Sequence, residues 1–151
     1  MNFKHKPDFR GDRGAVIAKI LFPELALEPK GSFDDRYGID GRINGKTVQI
    51  KYDSGILKRD NLWHEIYEKS DTKTNQPWRK SPGIATHYIF TTESDTHMYG
   101  FFIATDTLCE SEIGKSLQMI RPNGHELTSA GFFLPFLELN NCFEKRIKEL
   151  L

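Results

Sequence analysis

The run "GIDGRINGKTVQIKYD", Gly38 to Asp53, constrains the fold more than any other stretch of the chain. Asn44-Gly45 is a strong signal for a two-residue hairpin, because a type I′ turn needs positive φ at both central residues. With these two as the loop, Ile43 faces Lys46 and opposed positions sum to 89, which sets Asp40 across from Gln49. Directly opposed Cβ atoms lie roughly 5 Å apart and diagonal ones about 7–8 Å. Lys51, two residues past Gln49, shares its face and is diagonal to Asp40. Ile39, Ile43, Val48, Ile50 and Tyr52 take the reverse face. The pattern predicts strands near 36–43 and 46–53, apolar on one side, with an aspartate, a glutamine and a lysine converging on the other.

Those three groups suit phosphodiester chemistry. A carboxylate and an amide oxygen can hold a hard divalent cation such as Mg²⁺, which keeps several waters and needs few protein oxygens. A lysine beside them can orient a water or stabilise charge on the phosphate. The same pattern also describes an amphipathic hairpin whose outer face merely carries polar residues.

Around the hairpin the sequence predicts a mixed α/β domain of 151 residues, a length suited to one core. Val16, Ile17, Ile20 and Leu21 have helical spacing over 12–22, with Asp12 as a possible cap and Pro23 past the end. "ALEPKGSFDDRYG" reads as a loop. Leu62, Trp63, Ile66 and Tyr67 suggest a second helix in "DNLWHEIYEKSD", capped by Asp60. "THYIFTTES" and "MYGFFIATDT" read as strands, "RPNGHELTSAGFF" as turns and short strands, and "FLELNNCFEKRIKELL" as a closing helix.

The pairing of Asp40 with Gln49-Ile50-Lys51, after one helix and before another, resembles the PD-(D/E)XK nuclease superfamily. Its restriction-endonuclease-like core runs helix, strand with the Asp, strand with (D/E)xK, then a further helix and strand, forming a mixed central sheet flanked by helices. "QIK" takes the place of ExK here, a variant found in the Mrr-like branch. The likeness spans residues 10 to 105. It implies a Mg²⁺-dependent DNA endonuclease, with Mn²⁺ as a substitute and Asp40, Gln49 and the Ile50 carbonyl as metal ligands. Lys51 is the catalytic lysine in that scheme. Members often use an acid on the first helix; Asp12, in "GDRGAVIAKIL", resembles the Glu-Arg pair of archaeal junction resolvases. Glu24, Glu28, Asp34 and Asp35 are rivals for that role. The short chain and QxK site are also similar to intron-encoded homing endonucleases of this fold, which implies a long double-stranded DNA target and a homo-oligomer, a dimer or tetramer. A junction resolvase, a restriction enzyme and a non-catalytic DNA-binding module of the same fold are the alternatives.

Net charge is zero, which argues against indiscriminate coating of nucleic acid, yet residues 42–80 carry nine basic against five acidic side chains and residues 81–151 the reverse. That asymmetry gives one side on which to meet phosphates. Lys58, Arg59, Lys73, Arg79 and Lys80 are the candidate DNA contacts, and Trp78 beside them is a candidate to touch the duplex or a partner subunit; Trp63 reads as core. The segments 54–82 and 121–131 are candidates for reading bases. His64 and Glu68 lie at i and i+4 without a third ligand, and His5, His87, His97 and His125 show no ligand spacing. Cys109 and Cys142 are isolated and form no framework. No apolar run approaches the roughly 20 residues of a membrane span, and the polar N-terminus lacks the apolar core of a signal peptide, so the expectation is a cytoplasmic protein.

Overall fold

The computed structural model describes residues 6–70, 78–80, 83–120 and 127–150. Its centre is a six-stranded mixed sheet in the order β1-β2-β3-β6-β7-β10, from strands Ala26–Leu27 (β1), Gly41–Ile43 (β2), Lys46–Tyr52 (β3), His87–Glu93 (β6), His97–Ala104 (β7) and Phe143–Glu149 (β10). Only β3 and β6 run parallel; the other neighbours are antiparallel. Asn44 and Gly45 have φ of 47° and 78°, and Ile43 pairs with Lys46. The expected turn and register are both present.

A second, antiparallel sheet has the order β5-β4-β9-β8, from Asn61–Ser70 (β4), Arg79–Lys80 (β5), Gln118–Ile120 (β8) and Leu127–Pro135 (β9). Helix Lys6–Leu21 (α1) covers one face of the central sheet, packing Ile17, Ala18 and Leu21 with Phe22 and Leu25 on Ile43, Val48, Ile89 and Met98. Gly14 lets the helix sit close: a methyl there would lie 3.3 Å from Tyr52 Cβ and Thr91 Oγ1. Each fully buried Ile or Leu contributes about 1.5–3 kcal/mol relative to exposure. Arg146 ties β10 to the end of this helix, donating to the Leu21 carbonyl at 3.0 Å with its guanidinium over the Phe22 ring.

The other face is covered mainly by the second sheet. Leu62 of β4 and Leu134 of β9 join Ile56 of the short helix Ile56–Arg59 (α3), Leu108 of Thr105–Glu112 (α4) and Leu139 of a 3-10 turn over Tyr88, Phe90, Phe101 and Ile103. The class is therefore α/β with a mixed central sheet, flanked by a long helix on one side and by a sheet with short helices on the other. No helix among the described residues is long and apolar enough to cross a membrane.

Several expected elements differ. The first helix begins at Lys6, so Asp12 lies inside it rather than capping it. The presumed loop 26–38 contains β1 and a one-turn helix, Phe33–Arg36 (α2), and β2 is only three residues long. Residues 61–70 form β4, not a helix. Asp60 is left-handed (φ 58°) and closes α3 instead of opening a helix. A β-bulge between Glu65 and Tyr67 resets the strand's alternation, which is why its apolar residues imitate a helical period. The closing helix is likewise absent: left-handed Asn140 and Asn141 (φ 51° and 58°) end the 3-10 turn, and the chain becomes β10 against β7. Helix α4 carried no sequence signal strong enough to predict it, and the short strands expected within 121–133 are one nine-residue strand, β9.

Candidate active site

Asp40 immediately precedes β2, where the hairpin ladder loosens. The last regular pair is Gly41 with Val48; the Asp40 amide then donates to the Val48 carbonyl at 2.8 Å. The carboxylate extends the pairing, accepting the Ile50 N–H at 2.7 Å. This fixes a carboxylate at the margin of β3 between Gln49 and Lys51. The N–H and C=O of one strand residue point to the same side, so the Ile50 carbonyl is directed to the Asp40 margin too. Lys51 and Asp53 turn their backbone groups the other way: the Lys51 carbonyl accepts from Thr91 Oγ1 at 2.9 Å, and the Asp53 amide donates to the Thr91 carbonyl at 2.9 Å.

Gln49 and Lys51 share a face, as expected, but it is not an open outer one. Gln49 pairs in register with Tyr88 and Lys51 with Phe90, on the face covered by the second sheet. Gln49 is 5% exposed and Lys51 half-buried. An amide costs free energy to bury, so a hairpin with an idle solvated face does not describe this structure.

The surroundings of Tyr88 extend the site with residues that, His64 apart, the sequence did not single out. His64, also 5% exposed, sets its ring edge-on to Tyr88 with centroids 5.2 Å apart. Its Nδ1 is paired with Glu112 of α4, not with Glu68. Burial, then the charges of Cys109, Glu112, Glu65 and Asp40, push the Tyr88 hydroxyl up to about 12. Glu65 accepts from Ser129 Oγ at 2.6 Å, and Ser129 in turn accepts from Trp63 Nε1 at 3.1 Å. No short-range motif could have revealed this grouping, since it forms only when the second sheet and α4 close over β6.

The other candidate acids have partners elsewhere. Asp12 pairs with Lys30 on the outer side of α1. Glu24 pairs with Arg146 at 2.7 Å, and Arg42 takes both Glu28 and Asp34, the latter at 2.6 Å. The Asp35 side chain lies outside the described residues. Arg59 lies along the surface, donating to Asp53 at 2.6 Å and Asn61 at 2.8 Å over the Phe133 ring. Lys58 and Lys80 are exposed, Lys73 lies outside the described residues, and Arg79 is placed only by its backbone in β5. Trp63 is half-buried on the outer face of the second sheet, its ring 4.6 Å from that of Phe133, rather than in the core. Trp78 is 39% exposed, with Lys69 over its ring.

No group of three or more His, Cys, Asp or Glu side chains close enough to share a metal occurs among the described residues. The donors at the Asp40 margin are instead one carboxylate, one main-chain carbonyl and one amide. They are all hard oxygens, and Mg²⁺ commonly uses one or two carboxylates with water completing its shell. The residues present fit such an ion. No family model matches the chain, and no curated protein or solved structure matches it.

Proposed function

We propose that this chain is a metal-dependent endonuclease that hydrolyses phosphodiester bonds in double-stranded DNA. Asp40, Gln49 and the Ile50 carbonyl would hold Mg²⁺ or Mn²⁺, and Lys51 would act beside the scissile phosphate. The observation that carries this reading is the Asp40 carboxylate held on the Ile50 amide at 2.7 Å, between a buried amide and a lysine on one strand. The element order supports it. A helix, an aspartate before β2, QIK on β3, and β6 parallel to β3 follow the superfamily order, with the intervening helix shortened to the single turn of α3.

A bound cation would supply Lewis-acid polarisation of the phosphate and a more acidic water. Asp40 brings the carboxylate to it, with one oxygen already oriented by the Ile50 amide. Lys51, a compact charge with three donors, stabilises charge gathering on the phosphate oxygens or orients the attacking water. Gln49 brings an oxygen without charge, which leaves Asp40 as the main anionic ligand. Homing-type specificity for a long target would need more than one copy of this small domain: a single module has limited surface for reading a site, and two-fold assembly places one site on each strand of a pseudo-palindrome.

The test is incubation of a DNA pool of genomic fragments, a random library and four-way junctions with Mg²⁺ or Mn²⁺, followed by end sequencing. Metal-dependent cuts at one long sequence, absent in Asp40→Ala and Lys51→Ala, are expected. Cuts confined to junctions would move the reading to a resolvase. Binding without cleavage by folded protein would leave a DNA-binding module.

A further inference from the structure

The bulge in β4 changes which side chains look inward. Up to Glu65 the strand alternates regularly: Leu62 and His64 face the core, while Trp63 and Glu65 face out. Uninterrupted alternation would next turn Ile66 and Glu68 inward. The structure instead pairs Glu65 with Gly131 and Tyr67 with Ala130. Cross-strand partners share a face, and Ala130 lies on the same face of β9 as Phe132 and Leu134, which pack on the core. Past the bulge, therefore, Tyr67, Lys69 and Thr128 take the inner face, joined by Lys80 opposite Tyr67 on β5. Glu68 is turned out. One inserted residue exchanges a carboxylate for a lysine on the side that looks toward the central sheet, a re-aiming typical of bulges beside functional sites.

Gly131 makes the exchange possible. A Cβ at this position would lie 2.0 Å from the His64 carbonyl oxygen and 2.9 Å from Glu65 Cα, so the bulge can close only on glycine. The basic face continues the strand that carries His64, whose ring packs edge-on to Tyr88, the register partner of Gln49. Lys69 lies over the exposed Trp78 ring, 5.9 Å from its centroid. The part of β4 beyond the bulge, Tyr67 to Ser70, extends about 13 Å at roughly 3.3 Å per residue, comparable to the roughly 12 Å width of the B-DNA major groove.

We propose that the inner face of this ribbon beyond the bulge, carrying Tyr67, Lys69, Thr128 and Lys80 with Trp78 at its side, is the docking surface for duplex DNA, the two lysines taking backbone phosphates. This rests on the nuclease reading and deepens it by assigning the element that holds the substrate. The two segments separately suspected of reading bases, 54–82 and 121–131, meet in this sheet through β4 and β9.

The test is binding of a 30-base-pair duplex by full-length Asp40→Asn protein in EDTA, titrated between about 50 and 200 mM salt. Each phosphate contact contributes about 0.9 to the slope of log K against log salt. Adding Lys69→Ala and Lys80→Ala is expected to reduce the slope by nearly two and weaken binding at least tenfold at 50 mM salt. Lys148→Ala, on β10, should leave both unchanged. Unchanged binding by the folded Lys69→Ala/Lys80→Ala protein would overturn the docking surface while leaving the nuclease reading standing. Absence of duplex binding by the Asp40→Asn parent at every salt concentration would overturn both.

Discussion

In the proposed nuclease Asp40 has two separable jobs, and they can be dissected by substitution. Its carboxylate accepts the half-buried Ile50 N–H at 2.7 Å, replacing a backbone carbonyl where the β2–β3 ladder ends. A hydrogen bond to a charged group contributes about 1.5–3 kcal/mol net, and an orphaned buried donor costs about 1–3 kcal/mol. Asp40→Ala should therefore lower stability by about 2 kcal/mol. At about 2–4 °C per kcal/mol for a chain of this size, Tm falls by roughly 4–8 °C. Asp40→Asn keeps an oxygen that can accept the same N–H, so its loss should stay below about 1 kcal/mol. Both remove the anionic metal ligand and should abolish cleavage. Urea unfolding, with cleavage measured on the same preparations, separates the two roles. Cleavage by Asp40→Asn at the parent rate would refute the catalytic role. Parent-like stability in Asp40→Ala would refute the positioning role of the Ile50 bond.

Gly131→Ala should cost about 3 kcal/mol, because the new methyl meets backbone at the bulge rather than a yielding side chain; chemical denaturation measures it. Gln49→Glu puts a second carboxylate into a 5% exposed position near Asp40, so it should lower Tm in EDTA and recover it on Mg²⁺ addition more than the parent does; equal Mg²⁺ responses would count against Gln49 as a ligand. The Glu93 carboxyl is held below its usual value of 4.5, chiefly by hydrogen bonds from Arg13. Its contribution is present above pH about 4.5 and lost as pH falls through the lowered value; Arg13→Met should flatten that acid limb in pH-dependent urea unfolding. Tyr88 is the opposite case. Its pKa is raised from 10 to about 12, so stability is intact below pH 10 and falls toward pH 12, and Tyr88→Phe should remove that alkaline component.

What was legible in the sequence was local. Asn44-Gly45 specifies its own turn chemistry, and the register of Asp40, Gln49 and Lys51 follows from counting outward. The strands at 87–93 and 97–104 announced themselves through β-branched and aromatic residues. Other features depended on distant partners. Leu62, Trp63, Ile66 and Tyr67 fit a helical period, and only pairing with β9, which introduces the bulge, decides for a strand. Phe143 to Glu149 fits a helix too, until the exposed edge of β7 offers seven paired positions. The burial of Gln49 was hidden for the same reason, because the cover over its face comes from residues 61–65 and 131–139.

That dependence bears on how, in the proposed nuclease, a neutral glutamine would serve where the superfamily it resembles usually places a carboxylate. On an open hairpin the change from acid to amide would simply subtract charge. Beneath the second sheet it also avoids confining another anion beside Asp40, within an environment that already contains Glu112 near Tyr88. Like charges gathered in a desolvated site would raise one another's pKa and hold part of the set protonated. An amide remains an oxygen donor at every pH. The burial that makes a second carboxylate costly thus makes glutamine a suitable companion for Asp40 in a metal site of that kind.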